Sequence, residues 1–221
     1  MNTYITTCTI IDILDGRGVC DAVLPSGLHR LSRGTEMFVG TALPVRWAPV
    51  RKGPRITEAS PSTWTQVSDF LVPEVVDGTG QVYIAGAGPV LTEAALAGGL
   101  SLTYLADVVR FEGVVLGGAI RDRAVVEAAE FPVVASNFVP TDTQGSYRVE
   151  SVGDSCVIDN VLIRAGDWIF SDGNGTVIVP PSHLAEVMAA ATAVELVEQR
   201  ILERLRAGER LPKVVDEVGR I

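Results

Sequence analysis

Apolar residues recur along this chain in short runs bounded by turn-forming residues. Thr7 to Leu14 reads two ways: its β-branched residues suit a strand, and a short helix ending near Gly16 fits as well. Met37 to Val45 alternates loosely and predicts a strand. Arg51 to Ser62 is rich in Pro, Ser and charge and predicts a loop. Thr63 to Val76 fits no single element, because Pro73 would break a helix there, and Asp77-Gly78 marks a turn. Val82 to Ala85 predicts a short buried strand that enters the turn Gly86-Ala87-Gly88-Pro89. From Thr92 to Phe111 the pattern predicts a helical region interrupted at Gly98-Gly99, with Ala94, Ala95, Ala97, Leu102 and Leu105 on its apolar surface. The apolar run Gly113 to Leu116 predicts a strand, Val125 to Ala129 a short helix, and Pro132 to Ala135 another strand. Strand, helix and strand in that order suggest parallel pairing.

Beyond Gly145 the texture changes. Tyr147 to Val152, Cys156 to Arg164 and Trp168 to Val179 predict β segments, with turns at Gly153-Asp154 and Ala165-Gly166-Asp167. Asp172-Gly173-Asn174-Gly175 predicts a hairpin turn, since Asp-Gly and Asn-Gly supply positive φ. A long helix from Ser182 to Arg206 follows, with Ser182 as its expected cap and Glu195, Glu198 and Arg200 on a solvated or subunit-contact face. The expectation is a single α/β domain over residues 1–221, with 182–221 as a C-terminal helical extension.

Composition narrows the class. The chain has 221 residues, 47% of them hydrophobic, enough for one well-buried core. A net charge of −9 leaves no basic stripe to neutralise phosphates, which argues against nucleic acid as a partner. Three cysteines, Cys8, Cys20 and Cys156, are odd in number and lack metal-type spacing, so free thiols in a reducing compartment are expected. No apolar stretch approaches a membrane span and Met1-Asn2-Thr3-Tyr4 lacks the pattern of a signal peptide, so a soluble cytoplasmic protein with no membrane partner is expected. The two histidines, His29 and His183, have no second ligand at metal spacing and read as structural or solvated.

The densest chemistry lies in Gly117-Gly118-Ala119-Ile120-Arg121-Asp122. Paired glycines allow close approach to the backbone. The Arg121 guanidinium can grip a carboxylate through two parallel hydrogen bonds, and the Asp122 carboxylate can hold a divalent cation. The structural alternative makes the two an ion pair opening the next helix, with Asp122 as its N-cap. Gly98-Gly99 reads equally as a helix interruption where another element packs closely.

Taken together these segments resemble the family of ribonuclease-E-activity regulator A and the 4-hydroxy-4-methyl-2-oxoglutarate aldolases. The similarity runs from Thr6 to about Ala190. It is carried by Thr6 to Leu14, Val39-Gly40-Thr41-Ala42, Gly117 to Asp122, and Ala165 to Asp172 followed by Gly175 to Pro180. The resemblance implies that Thr6 to Leu14 form a first helix, within a layered α-β-β-α fold. It also implies a ring-shaped homotrimer, single or doubled into a dimer of trimers, with its site at the subunit interface.

In the family's lyases the motif arginine grips a carboxylate of a 2-oxo acid, and the motif aspartate helps hold magnesium or manganese. These residues correspond to Arg121 and Asp122. Backbone amides of the turn before that strand face the small carboxylate substrate and correspond to Gly98, Gly99, Leu100 and Ser101. A 2-oxo acid chelates a hard cation, and cleavage beyond the next carbon leaves an enolate whose charge falls on the keto oxygen. Retro-aldol cleavage and oxaloacetate decarboxylation share that intermediate. The family's lyases also carry an acid one helix upstream of the Arg-Asp pair, and the window Gly98 to Leu102 holds none. Ser101 could orient water but is a poor proton acceptor. A non-catalytic regulator or binding protein on the same scaffold is the alternative. The side chain that selects the substrate is expected around Leu100, from Asn137 to Gln144, or from a neighbouring subunit.

Overall fold

Eight strands share one sheet in a computed structural model that describes residues 5–49, 68–144 and 146–218. The expected loop Arg51 to Ser62 lies outside the described residues, as does the start of the segment 63–76, whose described part opens with a 3-10 turn, Ser68–Leu71. The elements in order are α1 (Thr7–Asp15), β1 (His29–Arg30), β2 (Phe38–Pro49), β3 (Gln81–Gly86), β4 (Leu91–Ala97) and α2 (Gly99–Thr103). Then come β5 (Gly113–Leu116), β6 (Gly118–Ile120), α3 (Arg123–Ala128), β7 (Val133–Ala135), β8 (Tyr147–Val152), β9 (Ser155–Ile158), β10 (Val161–Arg164), β11 (Trp168–Asp172) and β12 (Gly175–Val179). Two helices, α4 (Pro181–Arg206) and α5 (Leu211–Val218), complete the order. The class is α/β with a long C-terminal helix, as the sequence predicts.

The main sheet runs β1-β7-β5-β3-β2-β11-β12, with β8 also paired to β2. Its centre, β2-β3-β5-β7, is parallel, in line with the strand–helix–strand pattern, and the outer strands are antiparallel. Successive side chains on these strands alternate between two apolar layers. Val82, Ile84, Val115, Ile169 and Ile178 pack against Cys156, Ile158, Val161 and Ile163 of the β9–β10 hairpin. Tyr83, Ala85, Val114 and Leu116 point the other way, onto Leu96, Leu102, Leu105 and Val126 from β4, α2, the following turn and α3. Further along the sheet, Phe170, Val177 and Val179 meet Ile10 and Leu14 of α1 and Val187 and Ala191 of α4. The layering is therefore helices, sheet, and a second β layer. Gly117 permits that second layer to close: a Cβ there would stand 2.8 Å from Ile158 and 3.0 Å from the Ala85 carbonyl.

Thr7 to Leu14 resolves to a helix, capped by the Thr6 hydroxyl, which accepts the Thr9 N–H at 3.2 Å. The stretch from Thr92 to Ala97 departs from expectation: it is strand β4, and the helix begins only at Gly99. Its alanines suit a helix on propensity, but parallel pairing with β6 and an Ala95 N–H bond to the Thr141 carbonyl at 2.8 Å decide otherwise. After Thr103 the chain widens into a single π-type turn, Tyr104–Val108. Ser182 does not cap α4. Pro180 occupies the cap position and Pro181 opens the helix, where its missing N–H costs nothing. Glu195 is buried rather than solvated, and the Thr9 hydroxyl donates to it at 3.0 Å.

Candidate functional site

The strand that carries the Arg-Asp pair changes partners just before reaching it. Residues 113–116 lie in the main sheet as β5, whereas residues 118–120 pair with β4 as β6. The Arg121 N–H extends that pairing by bonding the Ala97 carbonyl at 3.1 Å. Both strands thus end together, β4 running into Gly98 and β6 into Arg121. On their flank runs the segment after β7: the Ile120 N–H bonds the Asn137 carbonyl at 2.9 Å, and Ala95 and Asp142 form a parallel bridge. Three stretches distant in sequence therefore converge on one rim.

Asp122 turns the chain there. Its backbone is left-handed, φ 63° and ψ 51°, a conformation that aspartate tolerates through its short polar side chain. It holds the N-cap position of α3, but its carboxylate caps nothing there; Oδ2 instead accepts the Gly99 N–H at 2.7 Å. The structural alternative of a plain helix cap is thereby replaced by a bond between two helix starts. Gly98 sits in the angle so formed. A Cβ on it would lie 2.7 Å from Asp122 Oδ2 and 2.9 Å from Arg121 Nε, so the glycine is required by close approach and not by helix interruption alone.

A cavity of about 400 Å³ opens beside this rim. Gly98, Leu100, Ser101, Arg121 and Asp122 line it on one side, with Trp47, Phe70, Leu71 and Tyr104 forming apolar walls. Of the six residues expected to hold metal or substrate, Gly99 alone does not line it, and its N–H is committed to Asp122. Leu100 is 91% exposed at the mouth. The Ser101 side chain is buried and occupied locally, accepting the Gly98 N–H at 2.9 Å and donating to the Gly98 carbonyl at 2.8 Å. Arg121 is about half exposed. Its Nη1 lies 3.0 Å from Asp142 Oδ2, while Nε stays 4.0 Å from Asp122 Oδ2. Asp142 also lines the cavity. The sequence offers Asn137 to Gln144 as one source of the selecting side chain, beside the window around Leu100 and a neighbouring subunit, but does not single out this aspartate, since only the Ala95 pairing brings it to Arg121.

The donor set suits a hard cation in one particular way. Among the described residues no group of three His, Cys, Asp or Glu stands ready to hold a metal. Asp122 is half exposed, lines the cavity, and makes its bond to Gly99 and its contact with Arg121 through Oδ2. Magnesium is commonly held by one or two carboxylates, with water and substrate oxygens completing the shell, and Asp122 fits that pattern. His29 and His183 lie elsewhere, on β1 and α4.

The paired strands β4 and β6 thus end at Gly98 and at the Arg121-Asp122 pair, beside a partly apolar cavity. The chain belongs to the RraA-like family: the family model, described as Aldolase/RraA, matches residues 7–178. It is 27% identical over 210 residues to protein DlpA of Legionella pneumophila, covering 94% of this chain but 31% of that protein. It is 32% identical over 111 residues to a Pseudomonas paraeruginosa protein named provisionally as a 4-hydroxy-4-methyl-2-oxoglutarate aldolase, covering 48% of this chain and 58% of the relative. The chain thus spans between about a third and three-fifths of these relatives. A solved structure of an uncharacterized protein from Pseudomonas syringae superposes with a TM-score of 0.75 at 27% identity, over 96% of this chain and 92% of the other. No helix among the described residues is long and apolar enough to cross a membrane.

Proposed function

We propose that this chain is a divalent-metal-dependent lyase that cleaves a carbon–carbon bond in a carboxylated 2-oxo acid. The observation that carries the reading is that Arg121 and Asp122, whose bond to Gly99 uses one carboxylate oxygen, line the same cavity. Arg121 grips the substrate carboxylate by charge-assisted hydrogen bonds. Asp122 is the residue that would hold magnesium or manganese, and the ion would supply Lewis-acid polarisation of the keto group on which enolate charge develops. Gly98, Leu100 and Ser101 bring backbone close to the bound acid, and Trp47, Phe70 and Tyr104 exclude water from it. The same arrangement serves retro-aldol cleavage and oxaloacetate decarboxylation. Assembly as a homotrimer or a dimer of trimers belongs to the same reading; Leu100 and Val108, exposed on α2 and the turn after it, are side chains a second copy would cover.

The test is pyruvate release from oxaloacetate and from 4-hydroxy-4-methyl-2-oxoglutarate, with and without magnesium or manganese. Metal-dependent release is expected, and Arg121→Ala should reduce it by about 100-fold or more, the scale on which loss of a charged transition-state contact acts. Silence on both substrates with either metal would sink the reading.

A second reading, a non-catalytic regulator or binding protein, is favoured by one observation: the helix start from Gly98 to Leu102 offers no acid, and its Ser101 hydroxyl is already engaged. On that reading both substrates remain uncleaved while the fold is intact.

A further inference from the structure

The acid that the resembling lyases carry upstream is absent from the Gly98 to Leu102 window, yet the cavity does not lack a second carboxylate. Asp142 lines it beside Arg121, carried by the segment that follows β7. Its position is built. The Ala95 N–H bonds the Thr141 carbonyl at 2.8 Å, Ala95 and Asp142 form a bridge, and the neighbouring Thr143 is 2% exposed. Asp142 Oδ2 meets Arg121 Nη1 at 3.0 Å, and Oδ1 accepts from the Thr143 hydroxyl at 3.3 Å and the Gln144 N–H at 3.4 Å. A carboxylate therefore rests on the same guanidinium that the proposed substrate would claim.

Building on the lyase reading, we propose that Asp142 is the proton-transferring carboxylate of this site, supplied from downstream in place of the missing upstream acid. In the free protein it holds Arg121 toward the cavity. When a substrate carboxylate shares Arg121, two like charges meet on one guanidinium, which makes the protein's carboxylate the better proton acceptor. A 4-hydroxy-2-oxo acid is short, so its hydroxyl lies within reach of a carboxylate touching the same guanidinium. Asp142 takes the hydroxyl proton. The O–H electron pair becomes the second bond of the new carbonyl, the bond between the third and fourth carbons breaks, and its electrons enter the enolate. Return of the proton from Asp142 to the third carbon gives the 2-oxo acid product and restores the carboxylate. No oxidant or further reactant is needed.

Oxaloacetate decarboxylation separates this role from a structural one, because carbon dioxide leaves from a carboxylate and no hydroxyl proton has to be removed. In the full chain with magnesium, Asp142→Asn should lower cleavage of 4-hydroxy-4-methyl-2-oxoglutarate by about 100-fold or more while leaving oxaloacetate decarboxylation, above the metal-only background, within about threefold. Asp142→Glu should restore part of the retro-aldol rate. If both reactions fall together, Asp142 merely props Arg121; if neither falls, it is idle; either result overturns the proposal while leaving the lyase reading intact. A wild-type protein silent on both substrates overturns the lyase reading and this proposal with it.

Discussion

Gly98 carries no side chain because the Arg121 and Asp122 side chains already fill the space where one would go. Gly98→Ala should therefore displace the Arg-Asp pair: pyruvate release is expected to fall about tenfold or more, with little loss of thermal stability because the damage lies at a partly open rim. Parallel rate and melting measurements check this, and an unchanged rate in that variant would contradict the close approach. Arg121 and Asp122 are legible in the sequence because charges beside a buried strand and paired glycines are costly without a purpose. Asp142 is not, because nothing local marks it. Its contact with Arg121 exists only after β4, β6 and the segment behind β7 have aligned. Asp172 shows the same limit. Read as a turn residue, it does bond the Asn174 N–H within the hairpin, and it also accepts from the Thr7 N–H and hydroxyl at 2.9 and 2.7 Å, tying β11 to α1.

At the scale of elements, strands with β-branched apolar runs are legible, since burial on both faces of a parallel sheet demands them. β4 escapes because six of its seven residues, all but Thr92, are small or helix-favouring, and its strand character comes wholly from its neighbours. The C-terminal pair of helices offers a separate test. Arg204 on α4 donates to both Glu209 oxygens, at 2.9 and 2.6 Å, and to Glu217 on α5 at 2.5 Å. These hydrogen bonds from Arg204, helped by its charge and that of Lys213, hold the Glu209 carboxyl down to about 2. A depressed carboxylate contributes stability that is complete above the ordinary glutamate range and is lost as pH falls toward that lowered value. Between about pH 5 and about pH 2 the helical signal of α5 should weaken, and Arg204→Gln should lose that acid sensitivity, as circular dichroism across the range would show.

Taken whole, the molecule places its reactive thiols and its inert one as the layering dictates. Cys8 and Cys20 are exposed, while Cys156 sits between the main sheet and the β9–β10 hairpin, where burial pushes its thiol up to about 12. A thiol reagent at neutral pH should modify Cys8 and Cys20 promptly in the native protein and reach Cys156 only after denaturant opens the two β layers. Mass spectrometry of the modified sites decides it. This layering was within reach of the family resemblance but not of periodicity alone, which yields strands without saying which face of the sheet receives the hairpin.

The left-handed turn at Asp122 has a bearing on how such a molecule changes its trade. Few side chains pass that backbone region without strain, and asparagine is the nearest that does. Asparagine would still offer the Gly99 N–H an acceptor oxygen, so the fold would barely register the exchange. The charge that would hold a cation would nevertheless be gone. On the proposed reading, a site that holds a cation and one that cannot stand one oxygen-for-nitrogen exchange apart, and the route between them needs no unfolding.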